Sequence, residues 1–238
     1  MSSRKADLRL DFCSHAAARY AIEHWYYTRT IPVGALVKIG VWESGTFEGV
    51  VLFGKGASNN LGKPYALEHF EVCELVRVAL RRHAMPVSRV LGIALRMLHK
   101  QCPGLKLVVT FADAEHGHHG GIYQATNWIF LGTTARAENY VIHGRETHGV
   151  AARKILARYP KDGSNTVTRL RRYIDADARV VLSSTKYRYV FPFDDELRRR
   201  LLPFALPYPK RGESKDSVAP GSPPGDDGAS PISPLHAC

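Results

Sequence analysis

Acid, amide and phenol side chains are concentrated in residues 111–132, directly after an apolar run. Asp113 closes that run, and Tyr123 and Asn127 follow shortly after it. A carboxylate can accept a proton from an amine nucleophile, and a phenol can donate one to a leaving group. Because ligands gather at the carboxyl ends of sheet strands, this composition predicts a reactive or binding loop at a strand end. Capping of the next turn by Asp113 is an equally good interpretation.

Histidines in the same segment could hold a metal ion. Asp113, His116, His118 and His119 form a D-x-x-H-x-H-H pattern, and both residue types ligate iron or zinc. A polar surface loop explains these histidines at least as well. An iron site therefore stays an option, with His116, His118 and the more distant His24 as candidate ligands.

Two charged residues, Glu74 and Arg77, interrupt an apolar run that ends at Leu80. A charged side chain within a strand is costly unless it is paired or faces a cleft. A structural ion pair and a binding site would therefore both explain these two residues. In a regular strand, Glu74, Val76 and Val78 share one face and Arg77 lies on the other.

A helix that could bind phosphate is predicted after that strand, because apolar residues from Val87 to Leu98 recur at helical spacing. Ser88 could cap its start, and Arg89 could pair with a phosphate near the free amides. Gly92 lets another backbone approach closely. An ordinary capped helix with a surface arginine accounts for the same residues.

The chain has 238 residues, 45% of them hydrophobic, and a formal charge of +11. Residues 209–238 are rich in Pro, Gly and Ser and carry three basic against four acidic side chains, so we expect this tail to be disordered and the rest to carry about +12. Double-stranded DNA is the favoured partner, although a solvated basic surface also fits. The candidate phosphate contacts are Arg153, Lys154, Arg158, Arg171 and Arg172.

The predicted elements alternate in a way typical of an α/β protein with a central mixed sheet flanked by helices. No apolar run is long enough to cross a membrane, and we expect one domain over residues 1–208. The layout resembles the GNAT acyltransferase fold, in which a central strand feeds a helix whose N-terminal amides hold the coenzyme A pyrophosphate. Here that pair would be residues 74–80 and 87–99.

These blocks together resemble the Mom family of phage DNA-modification proteins, a divergent GNAT-like group. The resemblance covers residues 24–144, extends more weakly to Phe193, and rests above all on ADAEHGHHGGIYQATNWIFLG. It implies a transferase in the host cytoplasm that converts DNA adenine to N6-carbamoylmethyladenine and so shields phage DNA from restriction. Acetyl-CoA or a related acyl-CoA is the implied cofactor.

Carried over residue by residue, the resemblance implies an active site of Arg77, Ser88, Asp113 and Tyr123, together with Tyr26 from the aromatic block. The candidate cofactor contacts are Val76, Val78, Ser88, Arg89, Gly92 and Asn127. Two other functions fit the sequence: an acetyl-CoA-dependent N-acetyltransferase of a protein or small amine, and a DNA-binding regulator without catalysis.

Overall fold

Two sheets organise the chain in the computed structural model, which describes residues 7–56, 59–113 and 118–210. The larger sheet has seven strands in the order β1-β2-β3-β4-β5-β10-β6, and the smaller has three in the order β8-β7-β9. The large sheet mixes parallel and antiparallel pairs and is flanked by helices, so the predicted α/β class is confirmed.

The strands are β1 (Leu8–Phe12), β2 (Leu36–Glu43), β3 (Thr46–Gly54), β4 (Val72–Leu80), β5 (Leu107–Asp113), β6 (Ile129–Thr133), β7 (Glu138–Ile142), β8 (Arg145–His148), β9 (Arg179–Leu182) and β10 (Lys186–Pro192). The helices are α1 (His15–Trp25), α2 (Val87–Gln101), α3 (Gly121–Gln124), α4 (Gly149–Leu156), α5 (Thr166–Tyr173) and α6 (Asp195–Leu201). In the part of the chain that is described, no helix combines the length and apolarity needed to span a membrane.

Helices cover both faces of the large sheet. The apolar face of α2 packs against one side, where Leu91 and Leu95 join strand residues such as Val108 in one buried cluster. On the opposite side, α1 covers the half formed by β3 and β4, and α6 covers the half formed by β5, β10 and β6. Ser14 caps the start of α1, because its side chain accepts a hydrogen bond from the Ala17 amide at 3.1 Å.

The two central parallel strands separate halfway along their length. β4 and β5 pair over Val72–Glu74 and Leu107–Val109, after which no further pair is formed although both strands continue. The strand–helix unit that the GNAT resemblance implies is present as β4 followed by α2. A gap therefore opens between the carboxyl-terminal halves of the two strands.

A β-bulge changes which side chains of β4 face each side of the sheet. Leu75 pairs with Phe53 and Arg77 with Leu52, which leaves Val76 as an extra residue without a partner on β3. Val76 consequently packs into the α1 cluster, whereas Val78 packs into the α2 cluster. The expectation that Val76 and Val78 share a face was wrong, because regular alternation fails across a bulge.

The small sheet, with α4 and α5, forms an insert between β6 and β10 that has its own buried cluster. Two connections tie it to the large sheet, and they are hydrogen-bonded to each other. The Ser183 amide donates to the Ala137 carbonyl at 2.8 Å, and the Thr134 amide donates to the Lys186 carbonyl at 2.9 Å. Because β10 runs antiparallel to both β5 and β6, the insert leaves the sheet at the edge where β5 ends.

Gly49 gives a test of the packing between β3 and β4. Its φ is +149°, and a Cβ added there would lie 2.0 Å from the Ala79 carbonyl oxygen of the neighbouring strand. We expect Gly49→Ala to lower the free energy of unfolding by about 3 kcal/mol, because neither strand backbone can yield locally. Urea denaturation would measure this loss, and Gly104→Ala, which would contact nothing within 4 Å, is the matched control. Equal stability of the two variants would contradict the packing described.

Candidate active site

The gap between β4 and β5 contains a cavity of about 680 Å³. This volume lies within the range of roughly 300–1,000 Å³ that is usual for sites that bind small molecules. Its walls are formed by the two separated strands, the end of α1, the segment before α3, and the start of β10. The lining side chains with chemical potential are Tyr26, Tyr27, Glu74, Arg77, Thr110, Asp113, His118, His119, Tyr123 and Lys186.

Asp113 and Tyr123 line this one cavity although they reach it from opposite faces of the sheet. Ala112 packs on the α2 side and Phe111 on the other, so strand alternation directs Asp113 to the side of Phe111. Tyr123 packs against the α2 side. Because the strands have separated, the cavity passes between them, and a ligand in it can meet both groups.

Thr110, a residue of β5 in the cavity wall, links this strand to β4 and to Tyr123. Its hydroxyl donates to the Leu75 carbonyl at 3.0 Å and lies 3.3 Å from the Tyr123 hydroxyl. Only 1% of Thr110 is exposed, and a buried carbonyl without a partner is costly. The Thr110 side chain thus satisfies a carbonyl just beyond the last paired residue of β4 and also positions the phenol.

Arg77 and Tyr26 form the opposite wall. The Arg77 guanidinium lies 4.9 Å from the centre of the Tyr26 ring, and its Nη1 donates to the Val76 carbonyl at 2.7 Å. Its Nε is buried and has no hydrogen-bond partner among the described residues. A cation fixed in this way can stabilise negative charge that develops on a ligand in the cavity.

Both phenols are held in the protonated form. Burial is the largest cause that raises the pKa of Tyr26 above its ordinary value, and the Arg77 charge lowers that pKa only in part. Burial also raises the pKa of Tyr123, and the negative charge of Glu74 adds to this effect. At neutral pH these groups can donate protons but are poor bases.

Four of the predicted active-site and cofactor residues lie outside the residues that line this cavity: Ser88, Arg89, Gly92 and Asn127. Ser88 does not cap α2, because the N-cap is Pro86, which makes no side-chain capping bond. Asn127 is exposed at φ +62°, and its carbonyl accepts from Arg198 at 3.0 Å. The helix α3 ends at Gln124, so Asn127 is not on the same helix as Tyr123.

The candidate metal ligands are dispersed. His118 lines the cavity, whereas His24 lies on α1, where its Nδ1 is 2.8 Å from the Tyr20 carbonyl and its ring stacks on Tyr20. His116 lies outside the described residues. Within the described ranges, no group of three or more His, Cys, Asp or Glu side chains could hold a metal ion.

Sequence reasoning missed the place of Lys186 and left the role of Glu74 open. Lys186 is the first residue of β10 and stands opposite Asp113 in the strand register. Glu74 is the last β4 residue paired with β5, and it lines the cavity as the strands separate. The position of Lys186 beside Asp113 is evident only once the distant strands β5 and β10 are seen to pair. Glu74, in contrast, could be noticed in the sequence as a charged residue within an apolar run.

The basic residues predicted to contact DNA all belong to the insert, but they differ in their contacts. Arg153, Lys154 and Arg158 are exposed on or just after α4. Arg171 donates from Nε to the Ala178 carbonyl at 2.8 Å, and Arg172 forms an ion pair with Asp162. The first group therefore presents the more available cations.

Comparisons with known proteins give the following similarities. A sequence model described as the Mom protein family matches residues 7–210. Methylcarbamoylase mom of Escherichia phage Mu is 29% identical over 212 residues, which are 86% of this chain and 84% of that protein. A structure assigned as an acetyltransferase from Acinetobacter baylyi ADP1 is 11% identical with a TM-score of 0.44, over 81% of this chain and 96% of its own. FeeM, an N-acyl amino acid synthase from uncultured soil microbes, is 11% identical with a TM-score of 0.44, over 85% of this chain and 100% of its own.

The phenol of Tyr123 predicts a pH dependence of stability. Its pKa is raised in the folded state, so above about pH 10 the unfolded chain releases a proton that the folded chain retains, and stability falls as pH rises. We expect Tyr123→Phe to flatten this fall by up to about 1.4 kcal/mol per pH unit. Urea unfolding from about pH 8 to 11 measures the slopes. Tyr20→Phe, at a phenol that is half exposed, is the control, and equal slopes for wild type and Tyr123→Phe would refute the expectation.

Proposed function

The chain belongs to the Mom protein family, and from that membership we propose that it is a transferase that modifies adenine in DNA to N6-carbamoylmethyladenine. The relative in phage Mu is named a methylcarbamoylase, and the similarity covers most of both chains. The observation that carries the proposal is the single cavity lined by Asp113, Tyr123, Arg77 and Tyr26. A carboxylate, a protonated phenol and a fixed cation can each assist alkyl transfer to an amine, by accepting a proton, donating one and stabilising negative charge.

Asp113 acts as the base in this proposal. The lone pair of adenine N6 is delocalised into the ring, so the amine becomes a useful nucleophile only as its proton is removed. As N6 bonds to the methylene carbon of the donor, a carboxylate oxygen of Asp113 accepts the N6 proton. Lys186, opposite Asp113 in the strand register, keeps positive charge at the same edge of the sheet.

Tyr123 and Arg77 act on the leaving group of the donor in this proposal. The donor's leaving group departs with the electron pair of its bond to the methylene carbon, and the Tyr123 phenol can supply a proton to it. The raised pKa of Tyr123 keeps that proton available at neutral pH. The Arg77 guanidinium, held over the Tyr26 ring, offsets the negative charge before the proton arrives.

DNA must present its base outside the stack, because an N6 amine within a duplex cannot reach a cavity between two strands. The insert leaves the large sheet at the edge where β5 ends, which is the edge of the cavity. Phosphates bound by Arg153, Lys154 and Arg158 would hold the duplex beside the opening. Protection of phage DNA from restriction follows if the modified base is no longer recognised.

Expression in bacteria tests the chemistry directly. We expect digested DNA from cells that express the wild type to contain adenosine with the added mass of a carbamoylmethyl group. Asp113→Asn should lower its amount at least 100-fold and Tyr123→Phe about 10- to 100-fold, because each removes a proton-transfer group. Asp177→Asn, at an exposed aspartate of the insert, should leave the amount unchanged.

Thiol release and duplex binding, measured on the purified protein beside the adenosine assay, separate the alternatives. Unmodified DNA with soluble wild-type protein contradicts the proposal. Release of a thiol with an amine acceptor, and unaltered DNA, would favour a plain N-acetyltransferase. Duplex binding alone, insensitive to Asp113→Asn, would favour a regulator.

The basic face of α4 predicts a defined salt dependence. We expect the triple variant Arg153→Ala, Lys154→Ala, Arg158→Ala to bind duplex DNA more weakly, with the slope of log K against log salt reduced by up to about 3, since each lost phosphate contact removes about 0.9. Fluorescence anisotropy across a salt series gives the slopes. Arg19→Ala, at an exposed arginine of α1, is the control. An unchanged slope in the triple variant would place the DNA elsewhere.

A further inference from the structure

The loop between β4 and α2, residues 81–86, binds a carboxylate of the protein itself, that of Glu43. The Ala84 amide donates to Glu43 Oε2 at 2.8 Å, and the Met85 amide donates to Glu43 Oε1 at 3.0 Å. Glu43 is the last residue of β2, so its carboxylate reaches this loop from the neighbouring hairpin. The backbone amides that precede α2 are thus occupied by both oxygens of one side chain.

The basic residue that begins the same loop is occupied as well. Arg81 donates from Nε and Nη2 to the two Glu48 oxygens at 3.2 and 3.1 Å, and its guanidinium lies 5.2 Å from the centre of the Trp25 ring. The hydrogen bond with Glu48 raises the pKa of Arg81. Glu48 is only 7% exposed, so this pair is a fixed part of the hairpin.

A diphosphate at this loop would need the groups that the two carboxylates hold. It would have to displace Glu43 from the amides, and both Glu43 and Glu48 would repel its charge. The Ala84 and Met85 amides and the Arg81 guanidinium, as they are held here, therefore do not fit the coenzyme A diphosphate that the fold resemblance implies.

We propose that Glu43 and Glu48 occupy the Ala84 and Met85 amides and the Arg81 guanidinium of the β4–α2 loop, so that the protein takes a donor without a diphosphate at this position. The donor is held instead by the lining of the 680 Å³ cavity, where Arg77 and Lys186 supply positive charge. This inference concerns the donor of the reaction proposed above and rests on that proposal. It predicts that removal of the Glu43 carboxylate creates a diphosphate site.

Equilibrium dialysis of the full chain with labelled acetyl-CoA, and with inorganic pyrophosphate as a second probe, tests the inference. We expect the wild type to show no saturable binding of either probe up to about 1 mM. Glu43→Ala should bind pyrophosphate at least about tenfold more tightly than the wild type, because two amides are released and one negative charge is lost. Glu43→Gln, which keeps one oxygen acceptor, should gain less.

Glu71→Ala is the matched control, because Glu71 also accepts from a backbone amide, that of Glu68, at 2.9 Å but lies one residue before β4, at the opposite end of that strand from the loop. It should gain no pyrophosphate affinity. Saturable acetyl-CoA binding by the wild type, in competition with pyrophosphate, overturns the proposal. So does the absence of any gain in Glu43 variants that remain folded by circular dichroism.

The adenosine assay shows whether the proposal about the loop and the proposal about the function fail separately. Modified adenosine from a wild type that does not bind acetyl-CoA supports both proposals. If DNA stays unmodified while the Glu43 variants gain pyrophosphate affinity, the loop is as described and only the function fails.

Discussion

The end of pairing between β4 and β5 is the constraint on which the site depends. Past Glu74 and Val109 the strands lose their ladder, and the carbonyls that follow need other donors. The Thr110 hydroxyl supplies one to Leu75, and the Arg77 guanidinium supplies one to Val76. The same two side chains line the cavity, so the groups that stabilise the opened backbone also set the geometry of the site.

Much of this arrangement could be predicted from local sequence, because local sequence specifies it. An apolar run that closes on Asp113 predicted β5, and helical spacing predicted α2. The bulge could not be found, since Leu75, Val76 and Arg77 read as a regular strand and only the partner strand shows the extra residue. The short strands β8 and β9 escaped notice because they are mostly exposed and carry no clear alternation.

The errors at the helix starts and ends have a common cause. Ser88 was assigned as a cap from its residue type, but Pro86 already occupies that position, and Glu43, distant in sequence, binds the preceding amides. Asn127 was predicted to contact the cofactor, yet its positive φ belongs to the turn that leads into β6, outside the lining of the cavity. In each case a contact or a backbone conformation set by distant parts of the chain overrode a local preference.

Strand direction links the proposed chemistry to the proposed DNA contact. β10 is antiparallel to both of its neighbours, so the end of β5, the end of β6 and the start of β10 meet at one edge of the sheet. Asp113 and Lys186, which line the cavity, lie there, and the insert leaves there through two connections that are hydrogen-bonded to each other. In the proposed complex, a duplex bound at α4 would be joined to the strand end that carries Asp113 by these two hydrogen-bonded connections. An insert at any other edge could bind DNA as tightly without bringing a base to the carboxylate.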